Sequence, residues 1–308
     1  MPIEHPAPVP DSSVWVGRSI LILAAVLWSL SGLFTRLLQT PTILGIHEPA
    51  LTPLQIAFYR ALFAGLFFIP FLRRRDISYQ PLMLWMVLSF AVMNWLFLTA
   101  LARGSAANAI LLQYTAPVWI YLLSVFGLGE RADSQSLRVI QICTLGLAVI
   151  VGGAWMQGGV DDGLIVAMAT GSGFTYGIVL LCLRQMRGES SAWLVTLNHL
   201  GAVVCLFPFI MHLPLPTVNQ LLFMSVFGVV QMGLPYWMMA RGLKSVSPQE
   251  AGVITLLEPM LNPLWAYLLV PEKETPPITT WIGGALILGA LAWRYWPRKR
   301  VAKGDAVV

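Results

Sequence analysis

Apolar runs of about twenty residues follow one another along this whole chain, and that is the length at which an α-helix crosses the hydrocarbon core of a bilayer. No loop between the runs is long enough to hold a separate soluble domain. A membrane-spanning strand would need alternating hydropathy over segments of about ten residues, and no such alternation is present. Composition agrees: of 308 residues, 57% are hydrophobic and 11% charged, with mean hydropathy +0.74. A soluble domain carries about 25% charged residues, because polar surface has to cover its core. The chain therefore reads as an all-α integral membrane protein.

Ten transmembrane helices are expected, at about 17–38, 52–72, 80–101, 105–127, 135–155, 162–184, 191–212, 217–240, 247–269 and 277–296. Glycine and proline punctuate most boundaries, as in TPTILGIHEP, MQGGVDDG, LPLP and PEKETPP, because both residues favour turns over continued helix. The N-terminal MPIEHPAPVPDSS is proline-rich and acidic and lacks the positive start of a signal peptide. It is expected to be a disordered cytoplasmic tail.

Lys and Arg set the orientation of such spans, being retained on the cytoplasmic side. With the N-terminus inside, that side collects Arg18, Arg73, Arg74, Arg75, Arg131, Arg138, Arg184, Arg187, Arg241, Lys244, Arg294, Arg298, Lys299, Arg300 and Lys303. The other side holds Arg36, Arg103 and Lys273, and Arg60 lies within a span. Both termini are thus expected in the cytoplasm. The net charge of +5 sits at span ends, as orientation signals do, so nucleic acid is not expected as a partner. Cys143, Cys182 and Cys205 all lie inside apolar runs and read as small core residues. There is no CxxC, HExxH or zinc spacing, so no metal or cofactor is expected.

The two halves repeat. Shifted by 142 residues, WLFLTALARGSAANAILLQYTAPVWIYLLSVFGLGER falls without a gap on WMMARGLKSVSPQEAGVITLLEPMLNPLWAYLLVPEK. Trp95 then meets Trp237, Ser105 meets Ser247, Pro117 meets Pro259 and Glu130 meets Glu272. Earlier in each half, Trp28 lies opposite Phe174, Arg60 opposite Asn198 and Pro70 opposite Pro208. The expected organisation is a tail at 1–16, repeats of five spans at 17–155 and 162–296, and a basic cytoplasmic tail at 297–308. An odd number of spans per repeat inserts the second copy upside down. Inverted repeats are a transporter architecture, with the substrate site near the midplane where the halves meet. Two pseudo-symmetric packings of similar energy give two access states.

This doubled pattern resembles the drug/metabolite transporter superfamily, EamA-like ten-helix transporters. The carrying residues are Trp28-Ser29 and Phe174-Thr175 in the first helix of each half, and Thr52, Pro53, Gln55 and Arg60 in the second span. A proline also precedes an acidic-basic pair by thirteen residues (Pro117 to Glu130, Pro259 to Glu272), and glycines punctuate each last helix (Gly146, Gly152, Gly284, Gly289). The resemblance covers about 17–296. Within the superfamily the chain is most similar to the bacterial aromatic amino-acid and methyl viologen exporters. That implies two inverted five-helix repeats around a central cavity, in the inner membrane. The second half departs from the pattern in lacking an arginine opposite Arg60.

Ionisable groups inside spans cost about 3 kcal/mol each near the bilayer centre and point to function. Arg60 is a candidate for a substrate carboxylate, against a structural arginine held by neighbouring helices. Glu258, in GVITLLEPMLNPLW, is a candidate for an ammonium group or a proton, against a carboxylate held at a proline-broken helix end. Its repeat partner is Ala116, so the proline belongs to both halves and the carboxylate to one. Gln113, Tyr114, Asn94, Gln231, Tyr236, Asn198, His199 and Asn262 are candidate cavity groups, against interhelical hydrogen bonds. Trp28, Tyr59, Tyr176, Trp237 and Trp265 are candidates for an aromatic wall. Trp15, Trp281 and Trp296, at span ends, suit the membrane interface. Gly171, Gly173 and Gly177 suit a close-packed helix face. Glu130 and Glu272 are expected to cap the next helix or pair with Arg131 and Lys273.

The expected activity is export of amino acids, hydrophobic or aromatic, by alternating access. The alternative is export of organic cations or another small metabolite. An intramembrane enzyme would need a nucleophile-base pair or metal cluster, and no GxSxG or HExxH occurs. A scaffold would not explain inverted repeats with midspan polar groups. The expected partners are a small-molecule substrate and the bilayer, and a monomer is among the expected states.

Overall fold

The structure is a computed structural model that describes residues 11–130, 134–157, 160–186, 188–246 and 248–296. Most of the N-terminal tail, Arg131, Arg187 and the basic tail from 297 onward lie outside the described residues.

Among the described residues every regular element is helical. Nine helical segments are long and apolar enough to cross a membrane, and a tenth, Ile278–Arg294, is apolar but shorter. Span 1 is α1 (Asp11–Ser29) and α2 (Ser31–Leu37). Spans 2 and 3 are α3 (Pro53–Phe68) and α4 (Pro81–Arg103). Span 4 is α5 (Ala106–Gln113) and α6 (Ala116–Leu122), running into a π-helical turn, Leu123–Gly127. Spans 5, 6 and 7 are α7 (Ser134–Gln157), α8 (Val160–Gln185) and α9 (Ser191–Ile210). Span 8 is α10 (Val218–Val226) and α11 (Leu234–Gly242), joined by a π-helical stretch, Phe227–Gly233. Span 9 is α12 (Pro248–Thr255) and α13 (Leu257–Leu269). After the short α14 (Pro271–Glu274), span 10 is α15 (Ile278–Tyr295).

Spans 4 and 9 break at matching places, after Gln113 and after Thr255. The cause is Pro117 and Pro259, which lack an amide hydrogen and would clash with the carbonyl four residues earlier. A proline in the first turn of a new helix loses nothing, since amides there have no partner inside the helix. The chain therefore restarts at Ala116 and at Leu257. Pro263 lies inside the continuous α13.

Packing exchanges the repeats. Span 3 lies on span 6 as span 8 lies on span 1, and span 4 on span 6 as span 9 on span 1. Spans 5 and 10 pair with each other, as do spans 2 and 7. Close approach is made possible by glycine. A β-carbon at Gly146 would lie 2.7 Å from the Gly283 carbonyl oxygen, and one at Gly173 would lie 2.7 Å from that of Leu112.

Side-chain ties define two faces. At the N-terminal face Arg18 pairs with Glu250, joining the starts of spans 1 and 9. At the far face Thr52 and Thr217 each cap a helix together with a glutamine three residues on. Those glutamines also tie the repeats. Gln55 Nε2 donates to the Pro214 carbonyl at 2.8 Å, and Gln220 Nε2 to those of Ile46 and Pro49 at 3.0 and 2.8 Å. Trp15, Trp281 and Trp296, expected at the interface, are all exposed on the protein surface.

Candidate substrate site between the repeats

A cavity of about 440 Å³ lies between the halves. That is within the range of about 300–1,000 Å³ usual for small-molecule sites. Its wall includes Trp28, Arg60, Gln113, Tyr114, Tyr176, Gln231, Tyr236 and Glu258. It reaches toward the N-terminal face along Met239, Leu243, Ala251 and Gly252, and Leu243 there is 42% exposed.

Arg60 projects from α3 and is 2% exposed. Its guanidinium donates to Asn94 Oδ1, makes a longer 3.4 Å contact with Gln231 Oε1, and lies 5.4 Å from the centre of the Phe227 ring. Nε has no hydrogen-bond partner among the described residues. Asn94 is itself fixed, because its Nδ2 donates to the Ala57 carbonyl at 3.0 Å. Gln231 Nε2 donates to the Trp28 carbonyl at 2.9 Å, tying span 8 to span 1 behind the cavity. Gly228 lets spans 2 and 8 meet here, since a β-carbon on it would lie 2.6 Å from the Arg60 carbonyl oxygen.

Glu258 stands in the first turn of α13, where the exposed amide end of a helix favours negative charge. It accepts a hydrogen bond from the Tyr114 hydroxyl at 2.8 Å. The same hydroxyl lies 3.2 Å from the carbonyl of Thr255, the group that Pro259 cannot satisfy. The half-break of span 4 thus supplies the side chain that closes the half-break of span 9. Trp28 and Tyr236 meet edge to face at 5.2 Å, and Tyr236 also meets His199 at 5.8 Å. The site joins a fixed cation, a carboxylate and aromatic faces around one cavity.

Seven other candidates stand behind or away from this wall. Asn94 holds Arg60. His199 is buried behind Tyr236, with Nδ1 2.7 Å from the Val195 carbonyl, which makes Nδ1 the protonated nitrogen. Asn198 is buried beside it, and its Oδ1 has no hydrogen-bond partner among the described residues. Asn262 Nδ2 donates to Ser31 Oγ at 2.6 Å. Tyr59 packs edge to face on Phe58, and Trp237 is 40% exposed with Arg241 over its ring. Trp265 donates to Ser29 Oγ at 2.8 Å. Gly173 and Gly177 pack against the broken span 4. Glu130 pairs with Arg184, a distant residue, while Arg131, its expected partner, lies outside the described residues.

Wall residues the sequence did not single out include Ser31, Met93, Phe97, Leu180, Met232 and Met239. Most are apolar and look like any core residue. Thr255 was within reach, since the repeat alignment sets it opposite Gln113.

Ten helical spans, packed as two exchanged halves around a cavity with a few fixed polar groups, define a multi-pass membrane transporter. The chain belongs to the EamA-like transporter family, whose pattern it matches twice, at residues 15–152 and 163–295. An uncharacterized transporter of Archaeoglobus fulgidus is 30% identical over 286 residues, covering 90% of this chain and 96% of the relative. The uncharacterized transporter YxxF of Bacillus subtilis is 26% identical over 182 residues, covering 55% and 56%. A crystal structure with TM-score 0.58 and 18% identity covers 92% of this chain and 98% of its own, a likeness of fold alone.

Proposed function

We propose that this protein exports amino acids, hydrophobic or aromatic ones, across a bacterial inner membrane by alternating access. The observation that carries this reading is the shared wall of Arg60, Glu258, Trp28, Tyr176 and Tyr236. A zwitterion needs one cation, one anion and an apolar face. Arg60 takes the carboxylate, with Asn94 and Gln231 holding it in place. Glu258 takes the ammonium group, and the three rings take the side chain. The N-terminal face is cytoplasmic, as the distribution of Lys and Arg supports. The two repeats move against each other as units, between tails at 1–16 and 297–308, and one chain suffices.

Export of organic cations is the second reading. It is favoured by Glu258 lying among aromatics while Asn94 and Gln231 already engage the guanidinium of Arg60. Proteoliposomes loaded with labelled phenylalanine or with methyl viologen, with and without a pH gradient, decide between the two. Efflux of phenylalanine supports the first reading. Efflux of the cation with none of any amino acid replaces it by the second.

A further inference from the structure

Of the three ion pairs that join the repeats among the described residues, Arg18–Glu250 lies at the N-terminal face between the starts of two spans, and the other two join span ends, one at each face. Arg36, at the end of span 1, pairs with Glu274, just past span 9. Arg184, at the end of span 6, pairs with Glu130, just past span 4. Repeat symmetry carries span 1 onto span 6 and span 9 onto span 4, so the same two elements make both pairs with the halves exchanged. Within each element the partners are offset by two residues, since Arg36 falls opposite Cys182 and Glu130 opposite Glu272. Residue-by-residue matching therefore hides the correspondence.

Their surroundings differ. The side chains of Arg36 and Glu274 are 1% and 0% exposed. Arg36 Nε donates to Glu274 Oε1 at 2.5 Å, and Nη1 to the Ala102 carbonyl at 2.9 Å and to Gln39 Oε1 at 3.1 Å. Nη2 donates to the Gly104 carbonyl at 2.5 Å, and Glu274 Oε2 accepts from the Ala106 amide at 2.7 Å. This node ties span 1, the turn between spans 3 and 4, and the end of span 9. Beside it Lys273 donates to Ala102, and burial, with Arg36 nearby, pulls its pKa below the ordinary lysine value. Arg184 and Glu130 are 36% and 44% exposed. A dry pair matters greatly when one partner goes, because a bare charge stays buried. A solvated pair matters little. In addition, the residue opposite Ala106 is Pro248, which has no amide hydrogen to give Glu130 the bond that Glu274 receives.

We propose that these pairs are the two gates of transport. Arg36–Glu274 seals the cavity from the outer side in the state described here, in which the cavity reaches the N-terminal face at Leu243. Arg184–Glu130 is the inner gate, drawn into a dry contact in the opposite state. The missing amide at Pro248 makes it the weaker of the two, so the resting protein faces the cytoplasm. This rests on the alternating-access reading above.

The test needs no substrate. Cys143, Cys182 and Cys205 are replaced by alanine and Met93, on the cavity wall, by cysteine. A membrane-impermeant maleimide then probes right-side-out and inside-out vesicles. The parent is expected to react from the cytoplasmic side. Glu274→Gln is expected to raise reaction from the outside by about tenfold or more, and Arg184→Gln added to it to lower that gain. Arg36→Lys keeps the charge but cannot make all the bonds of the planar fork. It is expected to give the same outside reaction in case Glu274→Gln does not fold. A wedge, Gly32→Leu, forces α2 off Asn262 and Ala106, since a β-carbon there already lies 2.4 Å from Asn262 Oδ1. Outside reaction in the wedge, with none in folded Glu274→Gln or Arg36→Lys, overturns the gate and leaves alternating access standing. No outside reaction in any variant overturns both.

Discussion

Replacing Arg60 by methionine separates a ligand arginine from a structural one. The variant strands Asn94 Oδ1, which accepts from Arg60, at a cost of about 1–3 kcal/mol for an unsatisfied buried group. It also removes a charge that is 2% exposed and has no carboxylate among its hydrogen-bond partners, and the burial of such a charge costs several kcal/mol. The two effects oppose each other, so the melting temperature is expected to move by less than about 5 °C. Binding is different. A carboxylate seated on the guanidinium forms two charge-assisted bonds of about 1.5–3 kcal/mol each. The smaller total, near 3 kcal/mol, weakens phenylalanine binding by about 100-fold. Phenethylamine, which has no carboxylate, is expected to bind within about threefold of the parent. The assay is equilibrium binding of both labelled ligands to purified protein, with a thermal scan alongside. Unchanged phenylalanine affinity refutes the assignment. Equal loss of both ligands together with a large fall in melting temperature shows a structural arginine instead.

Glu258→Gln keeps an acceptor for Tyr114 but loses the charge. Competition uptake is expected to show selectivity for phenylalanine over its N-acetyl derivative falling by about tenfold or more, the value of a charge-assisted bond. Gly146→Val drives a side chain into the Gly283 carbonyl, 2.7 Å from the first added carbon. A thermal scan is expected to show a loss of about 1–3 kcal/mol from overpacking. Gly152→Ala and Gly289→Ala meet nothing within 4 Å, so the same scan is expected to show no loss. Thr217→Ala removes the hydroxyl that accepts from the Gln220 amide at the start of α10, a cap worth about 1 kcal/mol, again read by the melting temperature.

Hydropathy was enough to locate the spans, because bilayer thickness fixes their length. The repeat could be read because the shift of 142 keeps Trp95, Ser105 and Pro117 on Trp237, Ser247 and Pro259. Rotation about each helix axis was harder to read, because packing sets it. Tyr236 lines the cavity while Trp237, one residue on, is 40% exposed, as the turn of about 100° between neighbouring residues dictates. Asn94 and Gln113 look alike in sequence, yet one stands behind Arg60 and the other on the wall. The apolar lining of Met93, Met232 and Met239 carries no polar signal at all. Glu274 was the least legible, since its partner Arg36 lies 238 residues away and Lys273 stands next to it in the chain.

The glutamate of LLEP gains its meaning from the proline beside it. Pro117 and Pro259 break both repeats at the same depth, so the break belongs to the symmetric build of the two repeats. The side chains at the breaks are not symmetric. The first repeat places Gln113, Tyr114 and Ala116 where the second places Thr255, Leu256 and Glu258. Tyr114 of one half bonds Glu258 and approaches the freed Thr255 carbonyl of the other. On the proposed alternating-access reading, a substrate that displaces Tyr114 from this contact would uncouple the two breaks. Filling the cavity and loosening the halves would then be one event, with Glu258 the residue in both.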